Sequence, residues 1–327
     1  MPLFLGRKQS TGGFKNSYEQ QVAELRQEVR DKKSTREREA KFAKFGAFCY
    51  EHGYAATNEE SVSTFLVQHF NNTGTAKTVR RVLSQLRVAH RYHKIRFLPQ
   101  EDEAAVEEVI QRLEYKDTVP VKRKVALRGK LINKLTSSLD LSKQNERCLA
   151  ICMNMGHDGL LRGHEITQRQ TTQDHGAMVA DFEPMSDDSA TNYKISRTKT
   201  SRTGGPISIN FGRIASKGHW DAHSLIKLHL SIGGLGDKPT APFFPSYVTT
   251  SWLRSHLKQL AHRHGINPSW IGNHSLRSGG ATDLFCSNIP QWVIMKFGRW
   301  NSNAVLLYQR DDEDIVQRVR KGFREAK

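Results

Sequence analysis

The sequence predicts a mainly α-helical protein with a small antiparallel β-sheet, arranged as two domains. Three observations lead to this prediction. Apolar residues recur at helical spacing almost throughout residues 16–117. The stretch DTVPVKRK at 117–124 then breaks that periodicity with a proline and a basic cluster. Beyond it, three strand-like segments lie between two groups of helical segments, so the sheet belongs to the second domain.

The domain boundaries follow from these breaks. We expect a flexible N-terminal arm at 1–15, a helical domain at 16–117 and a linker at 118–125. The second domain then covers 126–327 and ends in a helix at 312–326. A chain of 327 residues is long enough for two domains with separate cores. No apolar run approaches the roughly 20 residues of a membrane span, and the apolar patch at the N-terminus is too short for a secretory signal.

Charge indicates the kind of partner. Lysine and arginine number 50 against 33 acidic residues, a formal net charge of +17. Such an excess indicates a polyanion, most often nucleic acid, although ribosome-like and membrane-surface proteins share it. Four scattered cysteines are too few for a disulfide framework and indicate a reducing compartment. Cys148 and Cys152 lie one helical turn apart, but no paired Cys/His motif accompanies them, which favours buried core residues over a metal site.

The first domain contains one helix of particular interest, predicted at 75–93. The helix before it is predicted to begin at a capping-box pattern formed by Thr57 and Glu60. Its apolar stripe consists of Val79, Val82, Leu83 and Leu86. Its polar positions are nearly all basic and the segment contains almost no acid, which favours a surface that follows phosphates over an ordinary solvated face. A last helix at 101–115 has an acidic first turn, which suits the helix dipole.

In the second domain we place the strands at Met178–Phe182, Tyr193–Thr198 and Pro206–Asn210. Helical segments flank them: Leu131–Leu135, Asn145–Met155, Ser224–Ser231, Ser251–His264, Leu276–Ser287, Gln291–Phe297 and Asn303–Tyr308.

A series of chemically distinctive residues runs through this domain. Arg162 interrupts the apolar segment GLLRGHEI, with Glu165 three residues later. Lys199 lies in KISRTKTSRTGGPISI, which predicts two strands around a Gly-Gly turn. His274 and Arg277 form H-x-x-R, and Trp300 follows in GRW, eight residues before Tyr308. Each element alone is common in globular proteins.

Taken in this order, these residues resemble the tyrosine recombinase (phage integrase) family, most strongly from Leu160 to Arg310. The resemblance implies a two-domain DNA clamp, with a helical core-binding domain and a mixed α/β catalytic domain. The spacing from Trp300 to Tyr308 is one residue shorter than the common bacterial pattern. With the wording GRWNSNAVLLYQR, it resembles the eukaryotic mobile-element members, of Crypton or DIRS type.

Two arginines suit phosphoryl transfer, because the transition state spreads negative charge over the phosphate oxygens and guanidinium groups bind such oxygens bidentately. Arg162 and Arg277 are the candidates for this phosphate clamp. The alternative is a structural salt bridge with Glu165, Asp283 or another acid. A buried arginine needs a partner, and a phosphate is a natural one.

The resemblance makes Tyr308 the nucleophile, His274 the general base and Lys199 the general acid toward the leaving 5′ oxygen. A phenol ordinarily has a pKa of about 10, so Tyr308 needs nearby cations and a base to react at neutral pH. Tyr308 directly follows Leu306 and Leu307, and it also fits a core tyrosine. Arg197, Arg202 and Lys194 flank Lys199, and all four also fit a basic hairpin on the DNA backbone. Trp300 would donate its indole N–H to phosphate or pack against the site, and Glu165 would orient neighbouring basic groups.

This scheme requires no metal and no cofactor. The acidic pairs Asp187–Asp188 and Asp311–Asp312 lie in predicted loops rather than at converging positions, and the paired histidines lack zinc spacing. The residues expected to contact DNA are Lys77, Arg80, Arg81, Arg87, Arg91, Lys122, Arg123, Lys124, Arg197 and Arg202.

The function predicted is a site-specific DNA recombinase working through a 3′-phosphotyrosyl intermediate, for mobilisation of a genetic element. The partners expected are double-stranded DNA and further copies of the chain, as a tetramer on two duplexes, with the C-terminal helix docking in cis or in trans. The eukaryotic branch implies a nuclear location; otherwise the chain is expected in the cytoplasm with nucleoid DNA. The alternatives are a type IB topoisomerase and a catalytically silent DNA-binding protein derived from a recombinase.

Overall fold

A computed structural model of the protein describes residues 33–117, 124–168, 176–195, 207–214 and 219–300, with residues 305, 306, 320 and 324. The contacts divide the chain into two compact units, residues 1–121 and 122–327. Helices dominate both units, and a three-stranded antiparallel sheet lies in the second. The predicted fold class is therefore confirmed.

The first unit contains four described helices: α1 (Lys33–His52), α2 (Glu59–Thr73), α3 (Ala76–Tyr92) and α4 (Gln100–Lys116). The predicted apolar stripe of α3 is confirmed, because its four members are at most 1% exposed. They pack against Phe45 of α1, Leu66 of α2 and Ile110 of α4. The stripe has a helical period, so one face of α3 can be buried by all three neighbours.

Two details in this unit differ from the prediction. The cap of α2 is Asn58, not Thr57: the Asn58 side chain accepts a hydrogen bond of 2.7 Å from the Glu60 amide. His90, placed among the polar positions of α3, is fully buried and its Nδ1 lies 2.9 Å from the Leu86 carbonyl oxygen. Asparagine caps helices as well as threonine does, and an imidazole bonded to its own helix can enter a core.

The described helices of the second unit are α5 (Gly129–Ser137), α6 (Gln144–Asp158), α7 (Gly163–Ile166), α8 (Ala222–Ile232), α9 (Thr250–Arg263), α10 (His274–Cys286) and α11 (Gln291–Gly298). Helix α6 is the centre of the core, buried continuously from Arg147 to Gly156. It contacts α5, α8, α9 and α10. Cys148 and Cys152 are buried on it, as the core interpretation predicted.

The strands β1 (Phe182–Pro184), β2 (Ala190–Ile195) and β3 (Ile207–Gly212) are ordered β1-β2-β3 and antiparallel. Ile195 pairs with Ile207 at the end of the β2–β3 ladder, so the predicted hairpin on either side of Lys199 is present. The first strand begins later than predicted. Residues Val179–Asp181 form a 3-10 turn instead, in which the Asp181 carboxylate accepts the Met178 amide at 2.8 Å.

Among the described residues, none of the helices has the length and apolar character that crossing a bilayer requires.

Candidate active site

Arg277 lies at the centre of the candidate site. It is carried by α10 and is only 1% exposed. Its guanidinium donates to the carbonyl oxygens of Leu160, in the loop after α6, and of Gly298, the last residue of α11. Its Cζ atom also lies 4.0 Å from the ring centroid of Trp300. A buried arginine held by two carbonyls and an aromatic ring has a fixed position and keeps its positive charge. Neither carbonyl neutralises that charge.

Arg162 begins the short helix α7, and Glu165 caps it. One Glu165 oxygen accepts the Arg162 backbone amide at 2.8 Å, and the other accepts the Arg162 guanidinium at 2.8 Å. The Glu165 side chain is fully buried, whereas that of Arg162 is 16% exposed. The salt-bridge alternative for Arg162 is thus present in the structure, and the exposed edge of Arg162 leaves room for a further anion.

Arg299 was not among the residues predicted for the site, yet it connects Glu165, which binds Arg162, with the Leu160 carbonyl, which binds Arg277. One guanidinium nitrogen of Arg299 donates both to Glu165, at 2.9 Å, and to the Leu160 carbonyl, at 3.2 Å. Its side chain is 8% exposed. Three arginines distant in sequence therefore share two acceptors, the Glu165 carboxylate and the Leu160 carbonyl.

The backbone bends sharply at both places that meet here. Leu160 has a φ of 46° and Arg299 a φ of 60°, in the left-handed region that side chains with a Cβ atom rarely adopt. Such a conformation costs roughly 1–2 kcal/mol per residue. Residues held in this region cluster at functional sites, where the surrounding contacts maintain them. At Leu160 and Arg299 those contacts are the hydrogen bonds of Arg277 and Glu165.

Charge around Glu165 is dominated by the arginines. Burial alone would raise the pKa of Glu165, but Arg299 and Arg162 outweigh it and hold the pKa below its ordinary value. Burial lowers the pKa of Arg299, an effect that Glu165 opposes and Arg162 reinforces. An arginine ordinarily titrates so far above neutrality that Arg299 remains charged at physiological pH.

Trp300 packs rather than points outward. Its six-membered ring lies so close to Gly298 that a Cβ atom there would approach it to 1.7 Å. Glycine at 298 therefore allows Trp300 to cover Arg277. His274 is the first residue of α10, one turn before Arg277, and is exposed.

A partly buried ion-pair network connects α10 to the end of α6 and to the start of α5. His157 at the end of α6 bonds to Asp158 at 2.8 Å and to Asp283 of α10 at 2.9 Å. Arg128 donates to the same Asp283 carboxylate at 2.7 Å, as does the Gly129 amide at 2.6 Å. Asp283, considered as a partner for Arg162 or Arg277, therefore pairs with Arg128 and His157 instead.

We expect this network to make stability depend on pH in a defined window. Burial alone would lower the pKa of His157, but the two carboxylates raise it to about 9 from an ordinary 6.5. Burial opposes ionisation of Asp283, yet its bonds to His157 and Arg128 lower its pKa to about 2. The His157 contribution is therefore complete below pH 6.5 and is lost as the pH rises through 9. That of Asp283 is lost only on acidification from 3.8 toward 2.

Raising the pH from 6.5 to 9.5 should therefore lower the free energy of unfolding by at most roughly 3 kcal/mol. Denaturant titrations at a series of pH values would measure this change. The variant His157→Gln cannot carry the charge, so its stability should be lower at pH 6.5 and should change less across the window. Parallel pH profiles for the two proteins would contradict this interpretation of the network.

Several predicted residues lie outside the described part of the chain: Tyr308, Lys199, Arg197, Arg202, Lys122 and Arg123. Lys124 is described, and its ammonium donates to the Ser269 carbonyl. In the described part of the chain, no three His, Cys, Asp or Glu side chains converge as a metal site requires.

The basic face of α3 is partly neutralised by acids from other helices. Arg80 bonds to Glu114 at 2.8 Å and also to Glu107, both on α4. Arg81 pairs with Glu37 of α1 at 2.7 Å, and Arg87 pairs with Glu103 of α4 at 3.1 Å. Lys77 and Arg91 are exposed and have no acidic partner among the described residues. Among the described residues, Lys77 and Arg91 are therefore the positive charges of α3 that no acidic side chain neutralises.

No protein-family model matches the sequence, and no curated protein matches it either. Solved structures do match. A lambda integrase dimer bound to a COC′ core site aligns over 93% of this chain and 97% of its own, with a TM-score of 0.56 and 14% identity. The Tn1549 transposon integrase in complex with transposon right end DNA aligns over 81% and 84%, with a TM-score of 0.51 and 11% identity.

The XerH site-specific recombinase, in a post-cleavage complex with a palindromic difH substrate, aligns over 80% of this chain and 71% of its own, with a TM-score of 0.54 and 13% identity. In its pre-cleavage complex, 65% of the XerH chain is covered. The likeness to lambda integrase extends over both units. The chain therefore has the fold of the tyrosine recombinases.

Proposed function

We propose that this protein is a site-specific DNA recombinase that cleaves and rejoins strands through a 3′-phosphotyrosyl intermediate. One observation carries the proposal: the Leu160 carbonyl and Glu165 gather Arg162, Arg277 and Arg299 from three separate segments. Guanidinium groups held close together in fixed positions favour the binding of an anion. A phosphodiester passing through a more highly charged transition state is the substrate that such a site favours.

In the proposed reaction, the Tyr308 oxygen attacks the phosphorus atom and the bond from phosphorus to the 5′ oxygen breaks. His274 takes the phenolic proton, and Lys199 gives a proton to the leaving 5′ oxygen. Arg162 and Arg277 stabilise the charge that develops on the other phosphate oxygens. A 5′-hydroxyl of another strand then attacks the phosphotyrosine and releases Tyr308. Since the phosphotyrosine conserves the bond energy, no nucleotide cofactor is consumed.

Chain connectivity supports Tyr308 as the nucleophile. Val305 is fully buried and belongs to the same apolar cluster as Leu160, Ala281 of α10 and Ile294 of α11. Tyr308 follows Val305 by three residues, which span at most about 11 Å. Tyr308 is therefore tethered within reach of the segment whose carbonyl binds Arg277. Connectivity supports Lys199 similarly, because Tyr193 of β2 donates to the Glu165 carbonyl at 2.6 Å, six residues before Lys199.

The physiological setting that we propose is the mobilisation of a genetic element, by a tetramer on two duplexes, in the manner that the resemblance to mobile-element recombinases implies.

Strand exchange tests the function directly. A labelled and an unlabelled duplex carrying a site recovered from covalent adducts would be incubated with the protein in EDTA. A recombinase joins the label to the second duplex. A topoisomerase relaxes a supercoiled plasmid without exchanging strands, and a silent binding protein retards the DNA but changes no bond. Either of these last two results would overturn the proposal.

The α3 face offers a further prediction about DNA binding. Replacing Lys77 with alanine should reduce the slope of log binding constant against log salt by about 0.9, since one phosphate contact releases about that number of counterions. Arg80→Ala removes the same charge from a residue already paired with two glutamates, and should change the slope little. Fluorescence anisotropy at several salt concentrations would measure both. Equal decreases would mean that Arg80 leaves its glutamates for phosphate.

A further inference from the structure

Glu165 is bound on both oxygens, and this arrangement has consequences for the charge of the site. One oxygen accepts the Arg162 guanidinium at 2.8 Å, and the other accepts Arg299 at 2.9 Å. The carboxylate is fully buried. The charged groups that the structure places against it are Arg162 from its own turn and Arg299 from the end of α11. Tyr193, from β2, bonds only to its backbone carbonyl.

Without Arg299, this carboxylate would neutralise Arg162. A buried Glu165 with a single partner forms a 1:1 ion pair. With Arg299, two guanidinium groups face one carboxylate, so Arg162, Glu165 and Arg299 together keep a net positive charge. A phosphodiester carries one negative charge, and its transition state for attack concentrates more on the same oxygens. The positive charge that Arg299 adds beside Arg162 therefore favours the transition state.

The remaining contacts of Arg299 show that it acts through other residues. Its two terminal nitrogens donate to Glu165, to the Leu160 carbonyl and to the Phe297 carbonyl at 3.3 Å. Its Nε atom is buried and has no acceptor in the described part of the chain. The terminal nitrogens are thus engaged with the protein, and the same Leu160 carbonyl also binds Arg277. Arg299 therefore contacts both groups that hold the phosphate-binding candidates. These groups are Glu165, which binds Arg162, and the Leu160 carbonyl, which binds Arg277.

We propose that Arg299 is a positioning residue: it balances the charge of Glu165 so that Arg162 stays available to the scissile phosphate. This inference rests on the proposed strand-transfer function and deepens it. Arg299 binds the Glu165 oxygen that the Arg162 guanidinium does not bind, so Glu165 can orient Arg162 without cancelling its charge. The turn at Arg299, with its left-handed backbone, places the guanidinium between Glu165 and the Leu160 carbonyl.

The test compares Arg299→Met, which keeps the stem and removes the charge, with Arg299→Lys, which keeps the charge. Arg263→Met is the matched control, because Arg263 is exposed at the end of α9 and is not one of the residues of the candidate site. The rate of covalent adduct formation on nicked duplex DNA and the DNA dissociation constant would both be measured. We expect Arg299→Met to slow adduct formation about 10²-fold, with DNA affinity like that of the control. Arg299→Lys should recover part of the rate.

A double-mutant cycle separates this role from simple packing. If Arg299 acts through Glu165, then the variant Glu165→Gln/Arg299→Met should be faster than the product of the two single effects predicts. That double variant also removes the unbalanced buried carboxylate, so it should fold where Arg299→Met is too unstable to study. Multiplicative effects, or equal rates for Arg299→Met and Arg299→Lys, would overturn the proposal.

Failure of the proposed function would be visible separately. If the wild-type protein forms no adduct on any duplex, strand transfer is excluded, and the rise of the unfolding midpoint with added sulfate then decides the role of Arg299. The proposal expects the wild type and Arg299→Lys to be stabilised by sulfate more than Arg299→Met is. Equal stabilisation of all three proteins would overturn it.

Discussion

Replacing Arg277 with lysine should slow covalent adduct formation on the order of 10³-fold, the scale of losing a guanidinium that stabilises a phosphoryl transition state. Lysine can reach one of the two carbonyls that Arg277 binds, but it cannot bind both with the geometry of a planar fork. The Leu160 or the Gly298 carbonyl then loses its partner, which costs about 1–3 kcal/mol of stability for a buried group. Single-turnover adduct kinetics and chemical denaturation would measure the two effects.

The chain offers a matched control in Arg147. It too is buried, at 3% exposed, and it donates to two carbonyls, those of Leu141 at 2.8 Å and Ser142 at 2.9 Å. Arg147→Lys should therefore lower stability while leaving the rate of adduct formation per folded molecule unchanged. If the two variants lost the same activity per folded molecule, Arg277 would have only a structural role.

Gly279→Ala should be the most destabilising conservative change available in α10. A Cβ atom at Gly279 would lie 1.7 Å from the Leu127 carbonyl oxygen, and the obstacle is backbone rather than a flexible side chain. Helix α10 and the segment before α5 would have to separate, which should cost about 3 kcal/mol or more. Because α10 carries Arg277, activity should fall with the folded population. Thermal and denaturant unfolding would measure the loss.

We expect the same substitution at Gly46 to have the opposite effect on stability. Gly46 lies in the middle of α1, is exposed, and a Cβ atom there would meet no heavy atom within 4 Å. Gly46→Ala should stabilise that helix by roughly 0.5–1 kcal/mol, because alanine loses less backbone entropy than glycine. A Gly279→Ala protein as stable as the wild type would show that the close approach of α10 to Leu127 is not required.

Local patterns in the sequence were sufficient for much of the fold. The apolar stripe of α3 could be predicted because its four members lie on one face of a single helix, whatever packs against it. The pairing of β2 with β3 could be predicted because the two strand patterns lie on either side of one Gly-Gly motif in the sequence. Glu165 as a partner of Arg162 could also be predicted, since three residues separate them and one helical turn brings them together.

What the sequence did not reveal depends on contacts between distant segments. The lack of acid within α3 suggested a free basic face, but the glutamates that pair with Arg80 and Arg87 come from α4. Arg299 was overlooked because its role requires a left-handed turn and a contact with Glu165, which lies 134 residues earlier. A basic residue directly after an apolar helix and before Trp300 was the only signal, and it is a weak one.

The central claim is metal-free cleavage by Tyr308, and covalent trapping tests it most directly. Duplex DNA of pooled sequence, nicked near the cleavage position so that the cut fragment diffuses away, would be incubated with the protein in EDTA and resolved on a denaturing gel. We predict a protein–DNA adduct with the intact protein and none with Tyr308→Phe. An adduct that persists in Tyr308→Phe would contradict the assignment of the nucleophile and, with it, the mechanism proposed for this site.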